Sequence, residues 1–236
     1  MNEPNRLDES SGPNEPNRPS GPNRPNEPIA SGREADIFAL DAGRVLRRYR
    51  RVADVTGEAA VMTHVAAHGY PVPAVYAAHG SEMVLERLDG PTLAQAMAAG
   101  RMNIAGGAAL LAGLMQRLHS LPPLRAGRVV HLDLHPENVM LTGRGPVVID
   151  WCNATDGDPD LDLALSALIL AQVAIDPSHP SSVPAGEFLD AFLSRAPGDP
   201  LRRLDEAVWI KSGQSTITPD EVAVLGTAAA RVRGDH

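Results

Sequence analysis

Residues 129–151 read VVHLDLHPENVMLTGRGPVVIDW, and the organisation of the whole chain can be worked out from this stretch. It contains two short apolar runs that a Thr-Gly-Arg-Gly turn at 142–145 joins, with an aspartate before the first run and another after the second. A glycine-containing turn between two apolar runs predicts a β-hairpin. Such a hairpin brings Asp133, Asn138 and Asp150 to one end of a small sheet.

Two carboxylates and an amide that converge in this way suit magnesium and phosphate chemistry. Mg²⁺ prefers oxygen ligands, usually takes one or two carboxylates, and completes its shell with water and substrate phosphates. We expect Asn138 and Asp150 to supply such ligands, and Asp133 to orient or deprotonate an attacking hydroxyl. Each residue alone is explained as readily by turn or strand-end chemistry. Their joint spacing favours a phosphoryl-transfer site, where positioning and charge neutralisation provide most of the catalysis.

The motif H-x-D-L-H-P-x-N at 131–138, followed by an apolar strand and I-D-W at 149–151, resembles the active-site signature of the aminoglycoside phosphotransferase family. Residues 118–122 resemble the end of the helix that precedes the catalytic loop, and residues 157–164 resemble the segment after the metal-binding aspartate. Leu132 departs from the pattern, because the family often has glycine at this position.

The resemblance extends over roughly residues 29–170 and implies an α+β, two-lobed protein-kinase-like fold. The order of the predicted elements, strands first and helices later, agrees with it. A small β-rich N-lobe over 29–88 would bind the nucleotide, and a helical C-lobe over 89–236 would carry the catalytic loop and the acceptor site. The resemblance implies the roles expected above for the two aspartates and the asparagine. ATP or GTP would be the phosphoryl donor, magnesium the metal, and a small-molecule hydroxyl the acceptor.

The apolar patterns place the other elements. Alternating segments predict strands at 36–40, 44–49, 74–78 and 83–88. Helical spacing predicts helices at 57–69, 104–119, 161–173, 186–194, 199–210 and 219–232.

The phosphate-binding cation of the N-lobe is the main departure from the family. The only lysine in the chain, Lys211, lies far from the strand predicted at 44–49. Arg47 stands where the family usually has lysine, with Arg48 as the competing register, and arginine binds phosphate without being interchangeable with lysine. Glu58 would pair with this cation, as the helix glutamate does in kinases. On position alone it is equally a surface glutamate favoured by the helix dipole.

The remaining nucleotide contacts rest on the resemblance alone. Ser31 and Gly32 belong to the loop that would cover the nucleotide phosphates, although a single glycine is a weak loop signal. Glu86 and Leu88 lie in the linker that would contact the base, mostly through its backbone.

Two other interpretations stay open at this point. The absence of the strand lysine is compatible with a catalytically degenerate, kinase-like nucleotide-binding protein. A metal-dependent hydrolase would instead use His131, Asp133 and His135, which alternate along the chain and can share a face. That interpretation leaves the pairing of Asn138 with Asp150 unexplained.

Composition argues against several other classes of protein. The 236 residues include a single cysteine, Cys152, which excludes an internal disulfide and suits a reducing compartment. No apolar run is long enough to span a membrane. The N-terminus lacks an apolar signal region, so we expect a cytoplasmic protein.

The net charge of −8 is unevenly distributed, because residues 151–236 hold 13 acidic and six basic side chains. Nucleic-acid binding is not expected, since it requires a basic face, and no obligate protein partner is evident. The acidic C-terminal part can favour a cationic acceptor, such as an aminoglycoside, through its field. It can equally be a solvated acidic surface.

Residues 1–28 form a low-complexity tail in which Asn-Glu-Pro-Asn-Arg occurs at 2–6 and again at 14–18. Because the tail has almost no apolar side chains, it cannot bury enough surface to offset its ordering entropy. We therefore expect it to be disordered.

Overall fold

The computed structural model describes residues 27–32, 34–51, 54–213 and 219–234. The tail predicted over 1–28 lies outside these residues except for Glu27 and Pro28. Within the described part of the chain, no helix is both long enough and apolar enough to cross a membrane.

The N-terminal part is an antiparallel sheet of five strands in the order β1-β2-β3-β5-β4. The strands are β1 Ala30–Ser31, β2 Ala35–Ala39, β3 Arg44–Tyr49, β4 Val75–His79 and β5 Glu82–Glu86. Tight turns connect consecutive strands: Asp41 accepts a 2.9 Å hydrogen bond from the backbone N–H of Gly43, and Gly80 has a φ of 56°. Because these turns contain residues that suit them, the strands lie within one or two residues of their predicted positions.

Helix α1 (Thr56–Ala67) packs against this sheet. Its buried side chains include Val61, Met62 and Val65, the apolar positions that predicted it. The helix ends where Gly69 takes a φ of 74° and the N–H of Tyr70 donates to the carbonyl of Val65 at 3.0 Å. This is a Schellman C-cap, for which glycine is the favoured residue.

The described C-terminal part is mainly helical. Its helices are α2 Leu93–Ala98, α3 Ile104–His119, α4 Pro159–Ala174, α5 Ser182–Leu193, α6 Leu204–Ser212 and α7 Pro219–Arg233. The central helix is α4, which packs against α5, α6 and α7. It buries Leu163, Leu165, Leu168 and Ala171 on several faces, as expected for a helix that is apolar nearly all round.

Helix boundaries differ from the predicted ones where proline occurs near a helix start. Helix α4 begins at Pro159, two residues early, because Asp158 accepts a hydrogen bond from the N–H of Asp160 and caps the helix. Helix α5 begins at Ser182, before Pro184, because proline is tolerated in a first turn. The helix predicted at 199–210 is divided into a 3-10 turn, Pro200–Arg203, and α6.

Two small antiparallel pairs are separate from the five-stranded sheet. Strands β7 (Val139–Thr142) and β8 (Gly145–Val148) form the predicted hairpin. Strands β6 (Arg128–Val130) and β9 (Thr155–Gly157) pair on either side of it in the chain. This second pair was not predicted, because three-residue strands are too short to show alternation. Together the two pairs place the loop before β7 close to the residues that follow β8.

Candidate active site

The loop between β6 and β7 is held by a buried aspartate on α4. Asp162 accepts hydrogen bonds from the backbone N–H groups of His131 at 3.0 Å and Leu132 at 2.7 Å. Its carboxylate also meets Nε2 of His119 at 2.9 Å. Burial by itself would raise the pKa of Asp162, but the hydrogen bond and charge of His119 hold that pKa below its ordinary value. The loop backbone therefore donates its hydrogen bonds to a carboxylate that stays ionised.

Leu132 takes a left-handed backbone conformation, with a φ of 63°. It is the position at which the resemblance noted a leucine in place of the family's frequent glycine. A left-handed conformation costs a side-chain-bearing residue about 1–2 kcal/mol, whereas glycine adopts it freely. The departure from the family therefore leaves backbone strain next to Asp133.

Asp133 and Asn138 are joined directly. The side-chain amide of Asn138 donates to the backbone carbonyl of Asp133 at 2.8 Å and lies 3.4 Å from its carboxylate. The same nitrogen is 3.2 Å from Nε2 of His135. Because these contacts fix the side-chain nitrogen of Asn138, its carboxamide oxygen is left to face a metal. Burial raises the pKa of Asp133, and the negative charge of Asp150 adds to the rise.

Asp150 follows β8 and is brought beside this loop by the hairpin. The N–H of Ile149 donates to the carbonyl of Asn138 at 2.9 Å. Asp150 itself has a φ of 63°, a conformation that aspartate tolerates better than most residues. Trp151 is fully buried and donates from Nε1 to the carbonyl of Val148 at 2.9 Å, which anchors the strand end.

Arg47 connects the sheet to this cluster. Its Nη1 lies 2.8 Å from Glu58 and its Nη2 lies 2.5 Å from Asp150, so one guanidinium binds two carboxylates. The hydroxyl of Tyr49 donates to the second oxygen of Glu58 at 2.6 Å, and the Tyr49 ring lies 4.8 Å from the guanidinium carbon. Burial would raise the pKa of Asp150, but the charge and hydrogen bond of Arg47 outweigh it and hold that pKa below its ordinary value.

The structure also shows which of the two arginines faces Glu58. Arg48 points to the other face of β3, where it pairs with Glu82 at 2.8 Å and lies over the ring of Phe38. Successive side chains of a strand alternate between faces, so of these two arginines it is Arg47 that contacts Glu58 on α1. The predicted pairing of Glu58 with the strand cation is present.

The other predicted nucleotide contacts make local contacts of their own. Ser31 ends β1, and Gly32 turns toward β2 with its N–H donating to the carbonyl of Ala35 at 2.9 Å. Glu86 accepts 2.7 Å and 3.1 Å hydrogen bonds from Arg144 and the N–H of Ala74, so its side chain holds neighbouring segments together. Leu88 is half-buried in the connection to α2. Their contact with a nucleotide stays a prediction.

The donor set at the centre of the site suits magnesium. Asn138 and Asp150 could provide two oxygen ligands of the hard type that Mg²⁺ prefers, and such sites usually leave the other positions to water and phosphate. The arrangement does not suit the alternative histidine-based metal site. Among the described residues no group of three or more His, Cys, Asp or Glu side chains is placed to hold a metal. His131 is fully buried with Nε2 3.1 Å from the carbonyl of Ile149.

Two side chains near the site were missed in the sequence. Tyr49 lies on the same face of β3 as Arg47, two residues on, and this spacing is a signal that could have suggested it. The positive charge of Lys211, on α6, opposes the rise in the pKa of Asp133 and contributes to the fall in the pKa of His135. Nothing in the local sequence indicates that proximity, because it depends on how α6 packs.

Comparison with known families agrees with this geometry. The profile of the phosphotransferase enzyme family matches residues 26–127 and 86–204, together more than half of the chain. The chain therefore belongs to the phosphotransferase enzyme family. It is a phosphotransferase with an alcohol group as acceptor, the enzyme class that the sequence predicted. No match was found among curated proteins.

Several solved structures resemble the chain. The complex of APH(2″)-IIa with gentamicin superposes with a TM-score of 0.55 at 15% identity, covering 89% of this chain and 93% of that chain. An ethanolamine kinase of Plasmodium vivax gives a TM-score of 0.54 at 12% identity, covering 86% and 84%. A thermostable mutant of the aminoglycoside phosphotransferase APH(4)-Ia, in a ternary complex with ADP and hygromycin B, gives 0.52 at 17% identity, covering 88% and 92%. At these identities the likeness shows the fold, and the predicted two-lobed α+β fold is confirmed.

Proposed function

We propose that this protein transfers the γ-phosphoryl group of ATP to a hydroxyl group of a small molecule, with magnesium as the metal. The observation that carries the proposal is the cluster at the end of the β7–β8 hairpin. There Asp133, Asn138 and Asp150 meet a buried Arg47–Glu58 ion pair from the sheet.

Each member of the cluster has a proposed task. Arg47, steadied by Glu58, would bind nucleotide phosphates through the delocalised positive charge of its guanidinium. Asp133 would accept or orient the proton of the acceptor hydroxyl, and its raised pKa strengthens it as a base. Magnesium, held by Asn138 and Asp150, would neutralise phosphate charge when bound.

Two further parts of the proposal concern the donor and the location. The APH(4)-Ia complex contains ADP, which supports an adenine nucleotide, and GTP remains the alternative donor to test. We propose a cytoplasmic location, where nucleoside triphosphates are available.

The acceptor is proposed only as a small alcohol. The acidic composition of residues 151–236 left a cationic acceptor, such as an aminoglycoside, open beside a solvated acidic surface. Among the described residues, five of these 13 carboxylates pair with arginine: Asp158 and Glu206 with Arg203, Asp160 with Arg202, Asp190 with Arg231, and Asp205 with Arg233. Pairing reduces the field that would attract a cation. Gentamicin, hygromycin B and ethanolamine are therefore starting points for a screen, together with neutral and anionic alcohols.

The test is ATP-dependent phosphorylation across this screen, measured as ADP release with each acceptor, for wild type, Asp133→Asn and the exposed-carboxylate control Asp89→Asn. Loss of a general base costs about 10²–10⁴ in rate, so Asp133→Asn should lose turnover and keep nucleotide binding, while Asp89→Asn should match wild type. Comparable turnover in Asp133→Asn would rule out its proposed role. Nucleotide binding without turnover on any acceptor would favour the degenerate-kinase interpretation.

A further inference from the structure

Tyr49 is the last residue of β3 and lies two residues after Arg47, on the same face of the strand. Its side chain is half-buried and packs against the hydrophobic core. The hydroxyl of a tyrosine usually finds a hydrogen-bond partner when it is buried. That partner is Glu58 on α1, to which the Tyr49 hydroxyl donates at 2.6 Å. Tyr49 therefore joins the sheet to α1 through a contact of its own, beside that of Arg47.

The two carboxylate oxygens of Glu58 are divided between Arg47 and Tyr49. Oε1 lies 2.8 Å from Nη1 of Arg47, and Oε2 accepts the hydroxyl of Tyr49. The ion pair is nearly buried, with 11% of the Arg47 side chain and 6% of the Glu58 side chain exposed. A buried ion pair is favourable only when further hydrogen bonds satisfy its remaining lone pairs. The Tyr49 hydroxyl helps to meet that requirement and holds the carboxylate in the orientation that Arg47 needs.

The ring of Tyr49 restrains the same guanidinium from its flat face. The centroid of the ring lies 4.8 Å from the guanidinium carbon of Arg47. A planar guanidinium stacks on an aromatic ring, whereas the ammonium of a lysine is a compact, hydrated charge on a flexible stem. With Nη1 on Glu58 and one face over Tyr49, the guanidinium is restrained in both position and plane. Its Nη2 is thereby directed to Asp150, 2.5 Å away.

These contacts account for an arginine at a position where the family usually has lysine. An ammonium group has no plane to orient, so contact with one carboxylate is enough to place it. A guanidinium binds phosphate well only when its plane is oriented as well, because its N–H donors point in fixed directions. Tyr49 supplies the restraint that an arginine needs in addition to Glu58.

We propose that Tyr49 is a positioning residue that fits the strand cation site to arginine, by holding the guanidinium of Arg47 in the orientation that nucleotide phosphates require. This assignment rests on the proposed function. Tyr49 acts through Arg47 and need not touch the nucleotide itself. Removing its hydroxyl should therefore weaken phosphate binding mainly while arginine occupies position 47.

The experiment is a double-mutant cycle on the full chain, with the hydrolysis-resistant triphosphate AMP-PNP and Mg²⁺ as the probe in calorimetric titration. Tyr49→Phe removes the hydroxyl and keeps the ring, and Arg47→Lys keeps the charge and removes the planar group. The matched control is Tyr76→Phe, which removes the hydroxyl of a tyrosine that is 56% exposed on β4. Urea unfolding of every variant measures stability separately from binding.

We expect Tyr49→Phe to bind AMP-PNP about tenfold more weakly than wild type, the scale of one hydrogen bond to a charged group. Tyr76→Phe should bind as wild type does. Arg47→Lys should bind more weakly than wild type, because the site is fitted to a guanidinium. Adding Tyr49→Phe to Arg47→Lys should cost only about twofold or less, since residues that act as one unit are not additive.

An AMP-PNP affinity of Tyr49→Phe equal to that of wild type would overturn the assignment. Equal losses from Tyr49→Phe in wild type and in the Arg47→Lys protein would overturn it too, because the effect would then be structural and would not pass through the guanidinium. Arg47→Lys leaves Tyr49 intact and keeps the proposal falsifiable if Tyr49→Phe does not fold: binding as tight as that of wild type would show that the site is not fitted to arginine. Absence of AMP-PNP binding to wild type would instead overturn the proposed function, and the assignment with it.

Discussion

Leu132 holds a backbone conformation that leucine rarely adopts, directly before the proposed catalytic base. Two contacts hold Leu132 in this conformation. Its N–H donates to Asp162 at 2.7 Å, and its side chain packs against the core. Strain of this kind survives only where the surroundings over-determine the backbone. The free-energy cost of this conformation can be tested by replacing Leu132.

At Leu132, glycine should be better tolerated than alanine. Both substitutions remove the same packed side chain, but only glycine relieves a positive φ, so Leu132→Gly should be more stable than Leu132→Ala by about 1 kcal/mol. The control is Leu141, which is also half-buried against the core and whose φ is not positive. There the ordinary order should hold, with the alanine variant more stable. Urea unfolding of the four variants measures both differences, and the same order at both positions would contradict the account of strain.

Single residues also differ in how far sequence could identify them. The residues of the 131–138 motif and Asp150 were identified because their spacing is local, and Arg47 because it stands where the family usually has lysine. The left-handed φ of Leu132 was not predictable, since leucine normally signals an ordinary backbone. Lys211 was set aside because it lies far from the strand in the sequence. Its position relative to the loop depends on the packing of a helix some 80 residues downstream of Asp133.

At the level of elements, the connection between sheet and helices is fixed by one close backbone approach. Gly90 has a φ of 136°, and a Cβ placed there would overlap the carbonyl oxygen of Leu141 on β7. The N–H of Leu141 donates to the carbonyl of Pro91 at 2.8 Å. The segment after β5 is thereby held against the hairpin that presents the site residues.

Gly90→Ala should be strongly destabilising. It combines a backbone conformation unsuited to side chains with a clash against a strand, at a cost of about 3 kcal/mol or more. Gly113→Ala is the matched control, because Gly113 lies within α3 with open space around it, and there alanine should add about 0.5–1 kcal/mol through helix propensity. Urea midpoints check both. A Gly90→Ala protein as stable as wild type would show that the close approach is dispensable.

The elements were predictable where a pattern was long and its ends were marked. Helix α3 spans Ile104–His119 as predicted, because its apolar stripe is long and Asn103 caps it through a 2.7 Å bond to the N–H of Gly106. The β6–β9 pair escaped prediction because each strand has three residues. The starts of α4 and α5 were placed too late because a proline near a helix start was not counted as part of the first turn.

For the whole molecule, the proposed chemistry requires groups from both lobes to act together. Arg47 and Glu58 come from the sheet and α1, whereas Asp133, Asn138 and Asp150 come from the catalytic loop and hairpin. The 2.5 Å contact between Arg47 and Asp150 joins the two sets. The order of strands and helices indicated two lobes, but which side chains meet between them could be inferred only through the family resemblance.

The most direct test of this account is a thermal melt with and without ATP, in the presence and absence of Mg²⁺, on wild type, Asp150→Ala and the exposed-carboxylate control Asp89→Ala. A ligand at about 100 times its Kd adds roughly 2.7 kcal/mol, which for a domain of this size raises Tm by several degrees. We predict a magnesium-dependent rise in wild type and Asp89→Ala that is lost in Asp150→Ala, each protein being compared with its own nucleotide-free melt. No rise in wild type with millimolar nucleotide, or an equal rise in Asp150→Ala, would contradict the assignment of a magnesium–nucleotide site between the lobes.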